Sequence, residues 1–179
     1  MKLVEVAEYD IDGKLEKDLQ KLLRESFGEM YPTDRSYYKQ LPHFRFIITD
    51  EDEQVMGQVG ADYRVMSLNG KPIRVLGVID LCVSEAHRSK GIGSFLLAEI
   101  DNFCKGKNID FVLLFADNPA LYLKNGYSTA KNNCKWLQID EVKQTTYGIG
   151  MEVNNELMIK KLGNENWASG DLDLLGYLY

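Results

Sequence analysis

Apolar residues recur along this chain with two distinct periods. Leu15, Leu19, Leu22 and Leu23 stand at i, i+4, i+7 and i+8, one face of a helix that runs to about Phe27 before Tyr31-Pro32 stops it. Leu96, Ile100, Phe103 and Cys104 repeat that spacing, and Lys105-Gly106-Lys107 closes the second helix with the basic residues and glycine that helix ends favour. Elsewhere the runs are shorter and rich in β-branched residues. They predict strands over 44–49, from 54 to about 66, over 73–83, 109–116, 135–139 and 156–162. Asp50-Glu51-Asp52-Glu53 reads as a solvated turn. Asn69-Gly70 between two apolar runs predicts a tight hairpin, because both residues tolerate positive φ. Asp117-Asn118-Pro119 opens a short helix over 120–124, closed by Asn125-Gly126. The tail from Asp171 to Tyr179 is apolar but of undetermined type. No internal repeat, low-complexity stretch or linker interrupts the pattern. The expectation is one α+β domain over residues 1–179, with a mainly antiparallel sheet and a strand–glycine loop–helix–strand unit at its centre.

Composition narrows the function. With 179 residues, 45% hydrophobic and 27% charged, the chain can bury a core without a disulfide or metal staple. The net charge of −6 is spread evenly, so the clustered Lys/Arg that nucleic-acid binding requires is missing. An acidic surface instead favours a cationic small molecule. Cys82, Cys104 and Cys134 cannot all pair, and none is spaced with a second Cys or a His as a zinc site demands, so no metal is expected. The first residues carry no apolar signal segment and no stretch approaches a membrane span, which predicts a cytoplasmic protein.

The chemistry concentrates in Asp80-Leu81-Cys82-Val83-Ser84-Glu85-Ala86-His87-Arg88-Ser89-Lys90-Gly91-Ile92-Gly93-Ser94. A strand ends, a loop turns through two glycines, and a helix begins. Amides at a helix N-terminus have no intrahelical acceptor and sit at the positive end of the helix dipole, a natural cradle for phosphate oxygens. The segment is not a Walker loop, which needs Gly-Lys-Ser/Thr, nor a dinucleotide fingerprint, whose third glycine position holds Leu96. What it does contain is Arg-x-x-Gly-x-Gly, Arg88 to Gly93.

That loop resembles the pyrophosphate loop of the GNAT N-acetyltransferases. Asp80-Leu81-Cys82-Val83 is similar to the family's preceding strand. Asn118-Pro119-Ala120-Leu121-Tyr122-Leu123-Lys124-Asn125-Gly126-Tyr127 is similar to its second motif, in which a Tyr stands four residues before a Gly-aromatic pair. Order and spacing agree over roughly residues 44–128. The resemblance implies a twisted mixed sheet, splayed at the cofactor site with helices on both faces, and acetyl-CoA as co-substrate. It implies that main-chain groups of Leu81, Cys82 and Val83 pair with the pantetheine arm like an added strand. Arg88, Ser89, Lys90, Gly91, Ile92, Gly93 and Ser94 would hold the pyrophosphate, Asn118 would meet the pantetheine, and Tyr122 would assist the departing thiolate.

The base is less defined. Several members carry a Glu where this chain has Ile79, and neighbouring strand residues face opposite ways. Asp80 is the candidate, as base, as ligand for the substrate ammonium, or as a structural acceptor. The tail resembles the ending of aminoglycoside 2′-N-acetyltransferases, in which reading Asp171, Asp173 and the Tyr179 carboxylate attract a polycation. In the competing reading Leu172, Leu174, Leu175 and Tyr177 seal a sheet edge. The expected activity is acetyl transfer from acetyl-CoA to a small-molecule primary amine by direct attack in a ternary complex. A non-catalytic acyl-CoA-binding module and a peptide or protein acetylase are the alternatives, and dimers are common among similar proteins.

Overall fold

The computed structural model describes residues 1–179, apart from the side chain of Met30. Two compact units make up the chain: Met1–Asp62 with Ile79–Ile100, and Tyr63–Val78 with Asp101–Tyr179.

In the first unit, β1 (Lys2–Ala7) runs antiparallel to β2 (Phe44–Thr49), which runs antiparallel to the opening half of β3 (Val55–Leu68). β4 (Lys71–Val83) adjoins β3 and ends in this unit. Helix α1 (Gly13–Phe27) begins two residues before the leucine stripe because Asp12 caps it, its carboxylate accepting from the amides of Lys14 and Leu15 at 3.0 and 2.8 Å. The stripe is the buried face. Leu19, Leu22 and Leu23 pack with Tyr31, Ile47 and Cys82, each buried leucine being worth about 1.5–3 kcal/mol. Helix α2 (Ile92–Cys104) starts here as well.

In the second unit the strand order is β6 (Ser128–Thr129), β9 (Leu157–Lys161), β5 (Phe111–Phe115), β4, β3, β10 (Gly170–Tyr177), β7 (Asn132–Asp140) and β8 (Thr145–Asn154). The β4–β5 and β10–β7 pairs are parallel, and β9 runs antiparallel to β5. The hairpin at Asn69-Gly70 has φ of 50° and 80°, the double left-handed geometry of the tightest strand connection. Asn69 has a second role: its Oδ1 accepts from the Asp171 amide and its Nδ2 donates to the Ser169 carbonyl, both at 2.8 Å. Met66, Leu68, Val75, Phe111, Leu113, Leu157, Leu172 and Leu174 fill the core, with Trp167 edge-on to Phe111 at 5.1 Å. Short helix α3 (Ala120–Lys124) has the predicted bounds.

The tail departs from the edge-seal expectation. It is neither of undetermined type nor an edge seal, but an interior strand with β3 on one side and β7 on the other. Leu172 and Leu174 are fully buried for that reason. β1 and β8 are further strands that the periodicity alone did not predict. The three cysteines are all buried and reduced. This mixed, curled sheet with few helices is an α+β fold.

Candidate active site

The β4–β5 ladder runs from Val75↔Phe111 to Gly77↔Leu113 and stops there, whereas β4 continues to Val83. From Leu81 to Val83 the β5 side of the strand therefore meets no other strand among the described residues, which leaves main-chain groups for an extended ligand, the Val83 carbonyl excepted because Arg88 Nε donates to it. Alternation also slips along this stretch. Val78 and Ile79 are both buried, Asp80 and Leu81 both half-buried. The cause is Asp80, whose φ of 51° is left-handed in a residue other than glycine.

Buried side chains hold that bend from two directions. Gln58 Nε2 donates to the Asp80 carbonyl, and the Tyr31 hydroxyl donates to Asp80 Oδ2 at 2.9 Å. Gln58 is in turn fixed by Arg45, whose Nη1 donates to Gln58 Oε1 at 3.1 Å. Arg45 is 1% exposed and donates to both Glu8 carboxylate oxygens at 2.7 and 3.0 Å, and to the Ser36 carbonyl at 2.7 Å. Burial pushes the Asp80 carboxyl above the ordinary carboxylate range, against the opposing pull of the Tyr31 hydrogen bond. The Tyr31 hydroxyl is itself raised, first by burial and then by the Asp80 charge beside it. Cys82 is pushed up to about 12 by burial, an inert thiol.

Past Val83 a 3-10 turn, Glu85–His87, leads into the loop. The Ser84 amide donates to the Met56 carbonyl at 2.8 Å, and Ser84 Oγ meets His87 Nδ1 at 2.8 Å. Arg88 Nε donates back to the Val83 carbonyl at 3.1 Å, tying the loop to the strand end. Ser89 and Gly91 both have left-handed backbones, with φ of 60° and 84°. The first α2 bond is Phe95 N–H to the Gly91 carbonyl at 2.9 Å. Five successive amides, Ser89 to Gly93, thus donate to no protein acceptor among the described residues. Such a run of free N–H groups, in backbone that turns left-handed at Ser89 and Gly91, makes an anion-binding concavity, reinforced here by the positive end of a helix. A Cβ built on Gly91 would meet nothing within 4 Å, so there is room over the loop for an approaching oxyanion. A diphosphate group fits this donor set. The amide of Arg88 is not part of it, being bonded to the Glu85 carbonyl at 3.2 Å.

Asp80, Leu81, Cys82, Val83 and the loop Arg88–Ser94 lie together on one strand–loop–helix segment of the first unit. Asn118 and Tyr122 lie in the second unit. Asn118 is exposed, and its Oδ1 accepts from the Ala120 amide at 3.2 Å, opening α3. Tyr122 is half-buried on α3, its ring edge-on to Tyr127 at 5.8 Å. The tail acids are engaged locally: Asp173 Oδ2 accepts from Lys135 Nζ at 2.8 Å and Asp171 Oδ1 from Asn133 Nδ2 at 3.0 Å. Lys135 holds the Asp173 carboxyl below the usual carboxylate range. Tyr31, Gln58, Arg45 and Glu8 were not read from the sequence as site residues. The available signal was a polar residue inside an apolar strand, Arg45 within 44–49 and Gln58 within 54–66.

Among the described residues, no group of three or more His, Cys, Asp or Glu side chains is arranged to hold a metal ion. No helix among them is long and apolar enough to cross a membrane.

Residues 12–130 match the family model for the GNAT acetyltransferase domain. Among solved structures, the Escherichia coli GNAT family N-acetyltransferase YhbS, determined in complex with CoA, is 19% identical and aligns over 97% of this chain and 90% of its own, with a TM-score of 0.65. Tetrahymena GCN5 is 16% identical over 94% of this chain and 100% of its own, with a TM-score of 0.61. A GNAT family acetyltransferase from Staphylococcus aureus Mu50 is 13% identical over 90% and 100%, with a TM-score of 0.58. These likenesses are in the fold. No curated protein sequence matches the chain.

Proposed function

The chain belongs to the GNAT acetyltransferase family and is an acetyl-CoA-dependent acetyltransferase, and we propose that its acceptor is a primary amine of a small molecule, attacked directly in a ternary complex. The observation that carries the site assignment is the run of five free amides from Ser89 to Gly93 at the start of α2. In this reading those amides, with Lys90 and Arg88 beside them and Ser94 completing the turn, hold the diphosphate. The open side of Leu81, Cys82 and Val83 pairs with the pantetheine arm, and Asn118 meets it further along.

Bound acetyl-CoA supplies the acyl carbon that the amine attacks. The Asp80 carboxylate takes the proton that the attacking ammonium must lose, and Tyr122 donates a hydrogen bond to the departing sulfur. The slip in strand alternation favours Asp80 over Ile79 as the residue at this position, since it lets the side chain after Ile79 face where strict alternation would not. Net charge supports a cationic acceptor, of polyamine or aminoglycoside type. Lys135 offsets the Asp173 charge, whereas Asp171 accepts only from the neutral Asn133 amide and keeps its own.

The test is thiol release from acetyl-CoA across a panel of polyamines, aminoglycosides, amino acids and peptide N-termini, with CoA binding followed by calorimetry. Turnover on small amines is the expected outcome. Preference for peptides would move the acceptor to a protein class, and a flat panel with intact CoA binding would leave a binding module. Absence of any CoA heat would overturn the loop assignment itself.

The Asp80 assignment has two consequences of opposite sign. As a base it acts only when ionised, so kcat/KM falls as pH drops through its raised pKa, at a higher pH than an ordinary carboxylate gives. A carboxyl whose folded pKa is raised costs stability once ionised, and that cost builds as pH rises from the ordinary carboxylate value and is complete once pH has passed the folded one. Asp80→Asn is therefore expected to slow turnover by about 10²-fold or more while raising thermal stability at neutral pH. An unchanged acid limb in this variant would remove Asp80 from the chemistry.

A further inference from the structure

The first unit contains a cavity of about 560 Å³ that acetyl transfer leaves unused. It lies between the junction of β1 with α1 and the segment that leads into β2. Tyr9, Ile11, Tyr37, Leu41 and Pro42 line it, a largely apolar wall in the size range of small-molecule sites. No lysine or arginine is among its lining residues.

Three carboxylates line or back this cavity, and their charges are met differently. Glu8 gives both oxygens to Arg45. Asp62 Oδ1, almost wholly buried, stands 2.8 Å from Nδ1 of His43, whose exposed ring forms part of the rim. The Glu16 carboxylate has no hydrogen-bond or ion-pair partner among the described residues, although the residue is half-buried. The helix dipole accounts for an acid in the first turn of α1. It does not account for placing that acid against an apolar hollow, where a charge without a counter-ion is poorly solvated.

We propose that this cavity binds an organic cation, an amine carrying an aromatic or branched apolar body, with its ammonium on Glu16. The body packs against Tyr37 and Leu41, and Tyr9, 88% exposed at the rim, offers its ring face to the charge. The site is separate from the residues assigned to acetyl transfer. Neither Asp80 nor the loop from Arg88 to Ser94 lines it. From its Glu8 wall a hydrogen-bond chain runs through Arg45 and Gln58, 1 and 0% exposed, before it reaches the Asp80 carbonyl. A cation in the cavity therefore touches Asp80 only through that buried chain, and needs no coenzyme in order to bind.

The probe is N,N-dimethylphenethylamine, a tertiary amine that has no N–H to lose and so cannot end as an amide. Calorimetry of the full chain without CoA should show one equivalent bound. Phenethyl alcohol, which has the body without the charge, should bind about tenfold more weakly or worse. Glu16→Gln keeps the helix propensity of the site and should weaken the amine about tenfold, erasing its advantage over the alcohol. Tyr9→Leu should weaken the amine a few-fold, and both variants should keep the heat of CoA binding. Absence of amine heat in the wild-type chain, or a Glu16→Gln chain that binds the amine as tightly, overturns the proposal. In the acetyl-transfer assay the probe should leave the KM of the acceptor unchanged. A KM that rises in proportion to the probe would overturn the separateness and make the cavity the seat of the acceptor itself.

Discussion

Replacing Tyr122 by Phe is expected to lower turnover by about 10²–10⁴-fold, the range that a positioned acid supplies, while CoA affinity changes by no more than a few-fold. The ring keeps its edge-on contact with Tyr127 and its place on α3, so only the hydroxyl is lost. A free phenol, with a pKa near ~10, is a weaker acid than a thiol at ~8.5, so complete proton transfer to the departing thiolate runs uphill. The hydroxyl acts mainly by donating a hydrogen bond to charge that grows on sulfur as the bond breaks. That interaction exists in the transition state and not in the ground state, so the loss should fall on kcat and kcat/KM equally and leave KM nearly unchanged. Steady-state kinetics beside calorimetric CoA titration separates the outcomes. Wild-type turnover in the variant would strike Tyr122 from the mechanism, and a parallel loss of CoA binding would make it a packing residue.

The largest effect on stability is expected at Arg45. Its guanidinium joins Glu8, Gln58 and the Ser36 carbonyl at almost zero exposure. Arg45→Met fills the space but leaves a Glu8 carboxylate, 9% exposed in its side chain, without its counter-charge. Breaking one side of a buried pair typically costs about 3–5 kcal/mol, a large share of the roughly 5–15 kcal/mol that holds a domain together. For a chain of this length, thermal unfolding should fall by roughly 6–20 °C. Adding Glu8→Leu should recover much of the loss, because an apolar pair of similar volume needs no neutralisation. Calorimetry of the single and double variants measures this directly. Equal losses in both would mean that the guanidinium contributes by packing alone.

The chain's legibility depended on how far each signal reaches. Leu15 to Leu23 specify α1, Asn69-Gly70 specifies the hairpin, and Asp117 to Gly126 bracket α3, because each is decided within a few residues. The anion loop was legible for the same reason: amides freed by a helix start, next to two glycines, need no distant partner. β10 was not, since its neighbours are Leu68 on β3 and Cys134 on β7, and pairing over such separations leaves no local trace. β8 escaped because Gly148 and Gly150 dilute its alternation, and the glycines are there to make room for Trp136 and Gln138. The support beneath Asp80 was hidden differently. Gln58 and Arg45 sit in strands that read as core, and only the fold reveals that their polar ends meet each other.

The placement of the sulfur atoms has a practical outcome. Cys82, Cys104 and Cys134 are sealed inside, and burial pushes their thiols up to about 12, 11 and 11. A chromogenic disulfide reagent added to folded protein should accordingly colour only with coenzyme sulfhydryl set free by the reaction, against a blank background. Once the polypeptide opens, the same dye would count three more equivalents per chain. One cuvette can then follow catalysis first and denaturation afterwards.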